Sequence, residues 1–94
     1  MPPPKNFFLM NPDIVFKDIE DERVLYNPET GEVRVVNETG RFILDQCTGK
    51  LSGSQIIEKV AGCYSGVPPD KIKKEVIDFL SELMKRELIH KAAP

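Results

Sequence analysis

The sequence predicts an α+β fold in which a three-stranded antiparallel sheet is followed by a three-helix bundle, in the order β-β-β-α-α-α. The first observation behind this prediction is a set of runs between residues 14 and 36 that are rich in β-branched and aromatic residues and are separated by turn residues. The second is the spacing of apolar residues after residue 37, which follows the helical period behind capping residues. The length of 94 residues suits one domain.

Three strands are expected at residues 14–19, 23–27 and 32–36. The first two form a hairpin around the acidic turn at 20–22. The second turn, at 28–31, has proline at its start and glycine at its end, which is typical of a β-turn. The three strands should therefore pair antiparallel in chain order.

Two helices are expected to begin at capping side chains. Asn37 can accept the backbone N–H of Gly40, which predicts a helix that starts directly after the third strand. Ser52 and Gln55 have the spacing of a capping box, which predicts the start of the second helix. The predicted ends are Gly49 for the first helix and the neighbourhood of Gly66 for the second.

The third helix is predicted to open at Pro68-Pro69-Asp70, which places proline in the first turn and an acid at the positive end of the helix dipole. Its apolar residues spread over about 160° of the helix surface, whereas a helix that buries one face needs a stripe of roughly 100°. We therefore expect this helix to contact two surfaces.

Both ends of the chain are expected to lie outside the domain. Residues 1–12 contain three consecutive prolines and are predicted to form a flexible Pro-rich N-terminal arm. The apolar residues 7–10 within the arm either dock on this domain, on a second copy or on a partner, or stay loose. Residues 90–94 are predicted to fray. Cys47 and Cys63 lie among apolar residues at helical spacing and are predicted to be buried free thiols.

The residue inventory argues against an enzyme. The chain has no nucleophile with its base, no glycine-rich phosphate loop and no pair of catalytic carboxylates. Two cysteines and one histidine are too few for a structural zinc site, so we predict no metal and no cofactor. The formal net charge of −2 gives no positive field for nucleic acid. No apolar run approaches the roughly 20 residues of a membrane span, and no targeting segment is evident, so the expected location is the cytoplasm.

A small open sheet has two edges, and an edge invites pairing with another chain. The third strand is the natural candidate, because it leads into the helical part and its polar face, Glu32 and Arg34, is expected beside the wide apolar helix. An extended peptide laid along this strand would gain main-chain hydrogen bonds and could place alternate side chains in apolar pockets. The alternative is that the edge is merely tolerated and the wide stripe belongs to an ordinary core.

One run of residues resembles a known family. The segment is Val36-Asn37-Glu38-Thr39-Gly40-Arg41-Phe42-Ile43, followed by a turn at 49–52 and a closing helix at 76–83. It is similar to the PqqD family, coenzyme PQQ synthesis protein D, also called the RiPP recognition element, over residues 13–89. Pro68 departs from the family pattern, where an acidic or hydroxyl cap is common, and the Pro-rich arm is not part of the motif.

The resemblance implies a winged-helix-like domain without catalytic activity, a peptide chaperone. Such a domain binds the leader of a ribosomally synthesised precursor peptide by strand addition and presents it to a modifying enzyme, a radical SAM protein in the case of PQQ biosynthesis. The peptide-binding residues that it implies here are Glu32, Val33, Arg34, Val35 and Val36 of the third strand and Lys71, Ile72, Glu75, Val76 and Phe79 of the third helix.

Two other functions stay open at this point. The same architecture suits a DNA-binding winged helix, although helix two offers essentially Lys59 as a basic residue, and helix three mixes lysines with acids. A general protein-interaction or self-assembly module, whose groove takes its own arm, is the other. The sequence names neither the precursor nor the modification, and it leaves a monomer and a swapped homodimer open.

Overall fold

A computed structural model of the chain describes residues 7–64 and 66–92. In this part of the chain six strands form two three-stranded antiparallel sheets, accompanied by three helices. The elements in chain order are β1 (Phe7–Met10), β2 (Val15–Ile19), β3 (Glu22–Tyr26), β4 (Val33–Val36), α1 (Glu38–Asp45), β5 (Thr48–Ser52), α2 (Gly53–Cys63), α3 (Pro69–Lys85) and β6 (Ile89–Ala92). The α+β class is confirmed.

The hairpin sheet, which consists of β2, β3 and β4 in chain order, is the sheet that the sequence predicted. Leu25 at its centre pairs with Phe16 on one side and Arg34 on the other. The turn between β3 and β4 is closed by the Asn27 N–H, which donates to the Glu32 carbonyl at 3.0 Å. Gly31 adopts φ +76° in this turn, a conformation that glycine takes at little cost.

The closing sheet has the strand order β5-β1-β6 and was not predicted. Its middle strand is β1, so the predicted flexible arm is wrong for residues 7–10. Phe8 is fully buried, and β1 is paired along both of its edges. Burial of this aromatic side chain together with two sets of backbone hydrogen bonds outweighs the entropy cost of ordering the segment. The part of the arm prediction at residues 1–6 lies outside the described residues.

The C-terminal strand corrects a second prediction. His90 pairs with Leu9 inside the closing sheet, and Ile89 is 1% exposed, so residues 90–92 do not fray. Pairing with β1 supplies partners for backbone groups that a tail would leave to water. The remaining residues of that prediction, 93–94, lie outside the described part of the chain.

Helix α1 follows β4 without a loop, as predicted. The Asn37 side chain accepts the Gly40 N–H at 2.9 Å and caps the helix. The helix ends at Asp45, so the predicted end at Gly49 is wrong. Gly49 lies in β5 with φ +82°, within the irregular stretch of its pairing with β1, a conformation that glycine takes at little cost. The predicted order of three strands followed by three helices is therefore wrong, because β5 lies between α1 and α2.

Helices α2 and α3 begin where the sequence predicts. The Ser52 hydroxyl accepts the Gln55 N–H, and the Gln55 side chain accepts the Ser52 N–H, which completes the capping box. Pro68 precedes α3 as its N-cap without a side-chain hydrogen bond. Helix α2 ends at Cys63 rather than near Gly66. None of the described helices has the length and apolar character that crossing a membrane requires.

One core joins both sheets to the three helices. Its fully buried large side chains are Phe8, Leu25, Ile56, Val76, Leu80, Leu83 and Ile89. Cys47 lies in this core, and desolvation raises the pKa of its thiol to about 12. The prediction of a buried thiol is wrong for Cys63, which is exposed because α2 turns that position to solvent in its last turn.

A buried cation attaches the hairpin sheet to α1. The Arg23 guanidinium is 6% exposed and lies 2.6 Å from Asp18 and 2.9 Å from Asp45, over the ring of Phe16. The hydrogen bond from Arg23 holds the pKa of the Asp18 carboxyl below its usual value and raises the pKa of Arg23. The contact of Arg23 with Asp45 therefore attaches the hairpin sheet to α1, while its contact with Asp18 joins β2 to β3.

Candidate functional site

A cleft of about 490 Å³ opens between β4 and the N-terminal half of α3. Helices α1 and α2 form its floor, and the first residue of β3 lies at its rim. The lining residues are Glu22, Arg34, Val35, Val36, Asn37, Thr39, Gly40, Ile43, Val60, Tyr64, Val67, Ile72, Glu75, Val76 and Phe79. Most of them are apolar, as is typical of a site that buries side chains of a ligand.

Gly40 lets three elements meet at the cleft. A Cβ atom at this position would lie 2.9 Å from Cζ of Phe79 on α3 and 3.0 Å from Cβ of Val36 on β4. These distances are shorter than van der Waals contact, so a glycine in the first turn of α1 permits the close approach. The shape of the cleft therefore depends on the same residue whose N–H completes the Asn37 cap.

One wall of the cleft is an open sheet edge. The Asn27 N–H donates to Glu32, which shows that the backbone of Glu32 faces β3. Backbone groups alternate along an antiparallel strand, so Arg34 and Val36 also face β3, and Val33 and Val35 direct their N–H and C=O groups away from the sheet. Those groups are the ones that an added strand would use.

An ion-pair network closes one end of the cleft. Arg34 Nη2 lies 2.8 Å from Glu82, Arg86 Nε lies 3.4 Å from Glu82, and Arg86 Nη1 lies 3.3 Å from Glu32. The four residues join β4 to the C-terminal half of α3, which confirms that the polar face of this strand lies beside the helix. Each of these partly exposed pairs contributes about 0–1 kcal/mol. Their main effect is to fix the distance between strand and helix.

The Arg34 side chain has two further features. Its Nη1 lies 3.5 Å from the Val35 carbonyl, one of the outward-facing acceptors, and its Nε is buried without a hydrogen-bond partner. An unpaired buried donor is costly, and this N–H has no acceptor within the described part of the chain.

The other end of the cleft carries a hydroxyl pair and two acids. Thr39 Oγ1 and the Tyr64 hydroxyl lie 2.6 Å apart and join α1 to the end of α2. Glu22 and Glu75 are exposed at the rim. Within residues 7–64 and 66–92, no three His, Cys, Asp or Glu side chains are grouped as metal ligands.

The structure brings together seven of the ten residues proposed from the sequence. Arg34, Val35, Val36, Ile72, Glu75, Val76 and Phe79 line the cleft, whereas Glu32, Val33 and Lys71 do not. Glu32 is paired with Arg86, Val33 is 57% exposed, and Lys71 is exposed on α3. A role of these three residues in binding stays a prediction.

Sequence reasoning missed the floor of the cleft. The additional lining residues are Glu22 of β3, Asn37, Thr39, Gly40 and Ile43 at α1, and Val60, Tyr64 and Val67 at and after α2. The junction at residues 36–43 was the available signal, because the cap that ends β4 also turns α1 under the strand edge. No local sequence pattern indicated that the end of α2 would also line the cleft.

Residues 7–10 of the arm do not occupy this cleft. Phe8 is fully buried in β1, which lies in the closing sheet between β5 and β6. Of the open possibilities for the apolar residues of the arm, residues 7–10 therefore dock on their own domain.

Comparison with known proteins places the chain in one family. The model of the family described as coenzyme PQQ synthesis protein D (PqqD) matches residues 22–89. No curated protein matches the chain by sequence.

Solved structures with the same fold include two proteins with bound peptides. TbiB1 in complex with the TbiA(beta) leader peptide has a TM-score of 0.78 at 24% identity, covering 92% of this chain and 99% of that one. Lasso peptide synthetase B1 complexed with the leader peptide has a TM-score of 0.76 at 17% identity, covering 88% and 96%. The heterocyclase TruD has a TM-score of 0.65 at 21% identity, covering 95% of this chain but 12% of that one. At these identities the likeness is one of fold.

Proposed function

This chain belongs to the PqqD family, and from that premise we propose that it is a non-catalytic peptide chaperone. It captures the leader segment of a ribosomally synthesised precursor peptide and presents the peptide to a modifying enzyme. The observation that carries the proposal is the open edge of β4 beside an apolar cleft. A strand edge supplies affinity for any extended backbone, and a cleft next to it supplies selection among side chains.

The edge offers a defined set of hydrogen bonds. The N–H and C=O groups of Val33 and Val35 face outward, so a peptide strand can form up to about four main-chain bonds with them, each worth about 0.5–1.5 kcal/mol net. Alternate side chains of that strand would face the cleft, over Ile72, Val76 and Phe79. Burial of one large apolar side chain there adds about 1.5–3 kcal/mol.

These contributions favour a peptide that binds with moderate affinity. Association loses translational and rotational freedom and must order a flexible peptide, so only part of the summed gain appears as binding free energy. Reversible capture suits a protein that hands its ligand to an enzyme. Two neighbours in fold, TbiB1 and lasso peptide synthetase B1, are described as complexes with leader peptides, which supports a peptide of this class.

The remaining parts of the proposal follow from the family. The peptide-binding domain includes β1 and β6 and therefore extends beyond residues 13–89 at both ends. The site comprises the ten residues of β4 and α3 named from the sequence, and the enzyme that receives the peptide is a radical SAM protein or another peptide-modifying enzyme. Because precursor peptides are made by ribosomes, we place this step in the cytoplasm. The charge of the cleft gives no support to the DNA-binding alternative, since among the described residues Arg34 is the one cation that lines it, and Arg34 is paired with Glu82.

The decisive experiment is an NMR titration of the isotope-labelled chain with the leader segment of the precursor peptide encoded beside its gene. We expect saturable shifts of the backbone amides of Val33 and Val35 and of residues 72–79, because these groups face the added strand. A scrambled peptide of the same composition is the control. Equal shifts with both peptides, or shifts confined to the closing sheet, would overturn the proposal.

A further inference from the structure

Within the part of the chain that the structure describes, the charged side chains that line the cleft are one arginine and two glutamates. Arg34 is already paired with Glu82 at 2.8 Å. Glu22 and Glu75 are exposed, and neither forms an ion pair with another described residue. The cation of the cleft is therefore neutralised, and two carboxylates at its rim are left without a counter-charge.

Both carboxylates lie away from the ion-pair network. Glu22 precedes Arg23, which pairs with Val36, two residues beyond Arg34 on β4, and Glu75 lies about two turns of α3 before Glu82, the partner of Arg34. The opposite end is occupied by the network of Glu32, Arg86, Glu82 and Arg34. The cleft is therefore electrically asymmetric along the direction that an added strand would take.

None of the described neighbouring cations forms an ion pair with Glu22 or Glu75. Arg23 is buried with Asp18 and Asp45, and Arg41 donates to the Glu20 carbonyl at 2.8 Å and lies 3.7 Å from Asp18. Lys71 is exposed one turn before Glu75 and does not line the cleft. Two further acids, Glu20 and Asp21, lie in the turn next to Glu22.

Resting on the proposed function, we propose that this acidic end of the cleft selects leader peptides in which a lysine or arginine flanks the apolar residue that enters the cleft. Complementary charge raises the association rate and rejects partners of the same charge. Main-chain pairing and the apolar contact stay available to any extended peptide, so the basic residue acts on specificity rather than on the existence of binding.

The test uses two versions of the leader segment that is titrated above. In one version the residues that flank the apolar anchor are lysine, and in the other they are glutamate. We expect the lysine version to bind about tenfold more tightly at low ionic strength. At about 1 M salt, where the Debye length is about 3 Å, the two affinities should converge on the value set by pairing and apolar contact.

Matched variants identify the residues responsible. Glu75→Gln and Glu22→Gln should each reduce the preference for the lysine version about threefold, since each removes one rim carboxylate. Glu58→Gln removes the same charge from an exposed position of α2 outside the cleft and should leave the preference unchanged. Glu82→Gln releases Arg34 and should also reduce the preference for the lysine version.

The outcomes separate the two proposals. Equal binding of both peptide versions at low salt overturns the charge preference and leaves the proposed function standing. A preference that Glu58→Gln reduces as much as Glu75→Gln assigns it to net charge and overturns the cleft as its source. Binding of neither version overturns the proposed function, and the charge preference falls with it.

Discussion

The hairpin sheet and the closing sheet have the same number of strands and are used in different ways. The closing sheet joins three segments that are far apart in sequence, at residues 7–10, 48–52 and 89–92, and buries Phe8 and Ile89 in the core. The hairpin sheet is made of consecutive strands, and its β4 edge forms a wall of the cleft. The closing sheet completes the core, whereas the hairpin sheet leaves an edge and a face available.

The exposed surface of the hairpin sheet makes the contrast clearer. Alternate residues of its strands form an apolar outer face, and the large side chains there that are exposed by 42–59% are Val15, Ile19, Tyr26, Val33 and Val35. Isolated exposed apolar residues are common, but neighbours on adjacent strands form a contiguous patch. Long-range pairing in the closing sheet thus completes a small core, and the locally paired strands of the hairpin sheet remain free to bind.

The largest expected effect concerns the closing sheet. Phe8→Ala removes a fully buried aromatic side chain and should lower the free energy of unfolding by about 3–5 kcal/mol, out of the 5–15 kcal/mol that is typical of a domain. Urea unfolding followed by circular dichroism measures it. Leu9→Ala is the control, since the neighbouring Leu9 is 43% exposed and should cost much less. Equal losses for the two variants would mean that β1 adds little to the core.

The next effect concerns the open edge. Val35→Pro deletes an N–H that faces away from β3, so the fold should persist while affinity for the leader peptide falls about tenfold or more. Arg34→Pro is the matched change at a position whose N–H faces β3, and it should damage the fold itself. Calorimetric titration of folded Val35→Pro, compared with Val35→Ala, separates the lost donor from the lost side chain. Unchanged affinity in Val35→Pro would remove strand addition from consideration.

A smaller effect is expected where the hairpin sheet meets α1. Gly40→Ala places a Cβ against Phe79 and Val36, which should cost about 1–3 kcal/mol, offset by about 1 kcal/mol of improved helix propensity. Gly62→Ala is the matched control, because no atom lies within 4 Å of its Cβ position on α2, and it should stabilise. Thermal unfolding of both variants shows whether each substitution lowers or raises the stability of the fold. A stabilised Gly40→Ala would show that α3 shifts easily at the cleft.

The smallest effect is a pH dependence of the hairpin sheet. The pKa of Asp18 is lowered in the folded state by its hydrogen bond to Arg23, so its stabilisation is complete above the unfolded value of 3.8 and is lost as the pH falls toward the folded value. Urea midpoints measured from neutral pH to below 3.8 should fall less steeply for Asp18→Asn. Asp13→Asn, whose carboxylate has no ion-pair partner among the described residues, should keep the slope of the parent chain.

The sequence by itself determined the elements that depend on neighbouring residues. The Asn37 cap and the capping box of Ser52 and Gln55 were predictable because each satisfies backbone donors within one turn. The strands of the hairpin sheet were predictable because their turns are short and their pairing is local. The β4 edge and much of the α3 wall of the cleft followed from these elements together with the family resemblance.

Tertiary structure alone decided the closing sheet and the floor of the cleft. The residues of β5, Thr48-Gly49-Lys50-Leu51-Ser52, have no strand pattern of their own and are extended because β1 pairs with them. Tyr64 reaches the cleft through a contact with Thr39, 25 positions away in sequence. Such pairings are stabilised by contacts between distant segments, so no local pattern records them. For the same reason residues 7–10 of the arm, which were predicted to be flexible, form the central strand of the closing sheet.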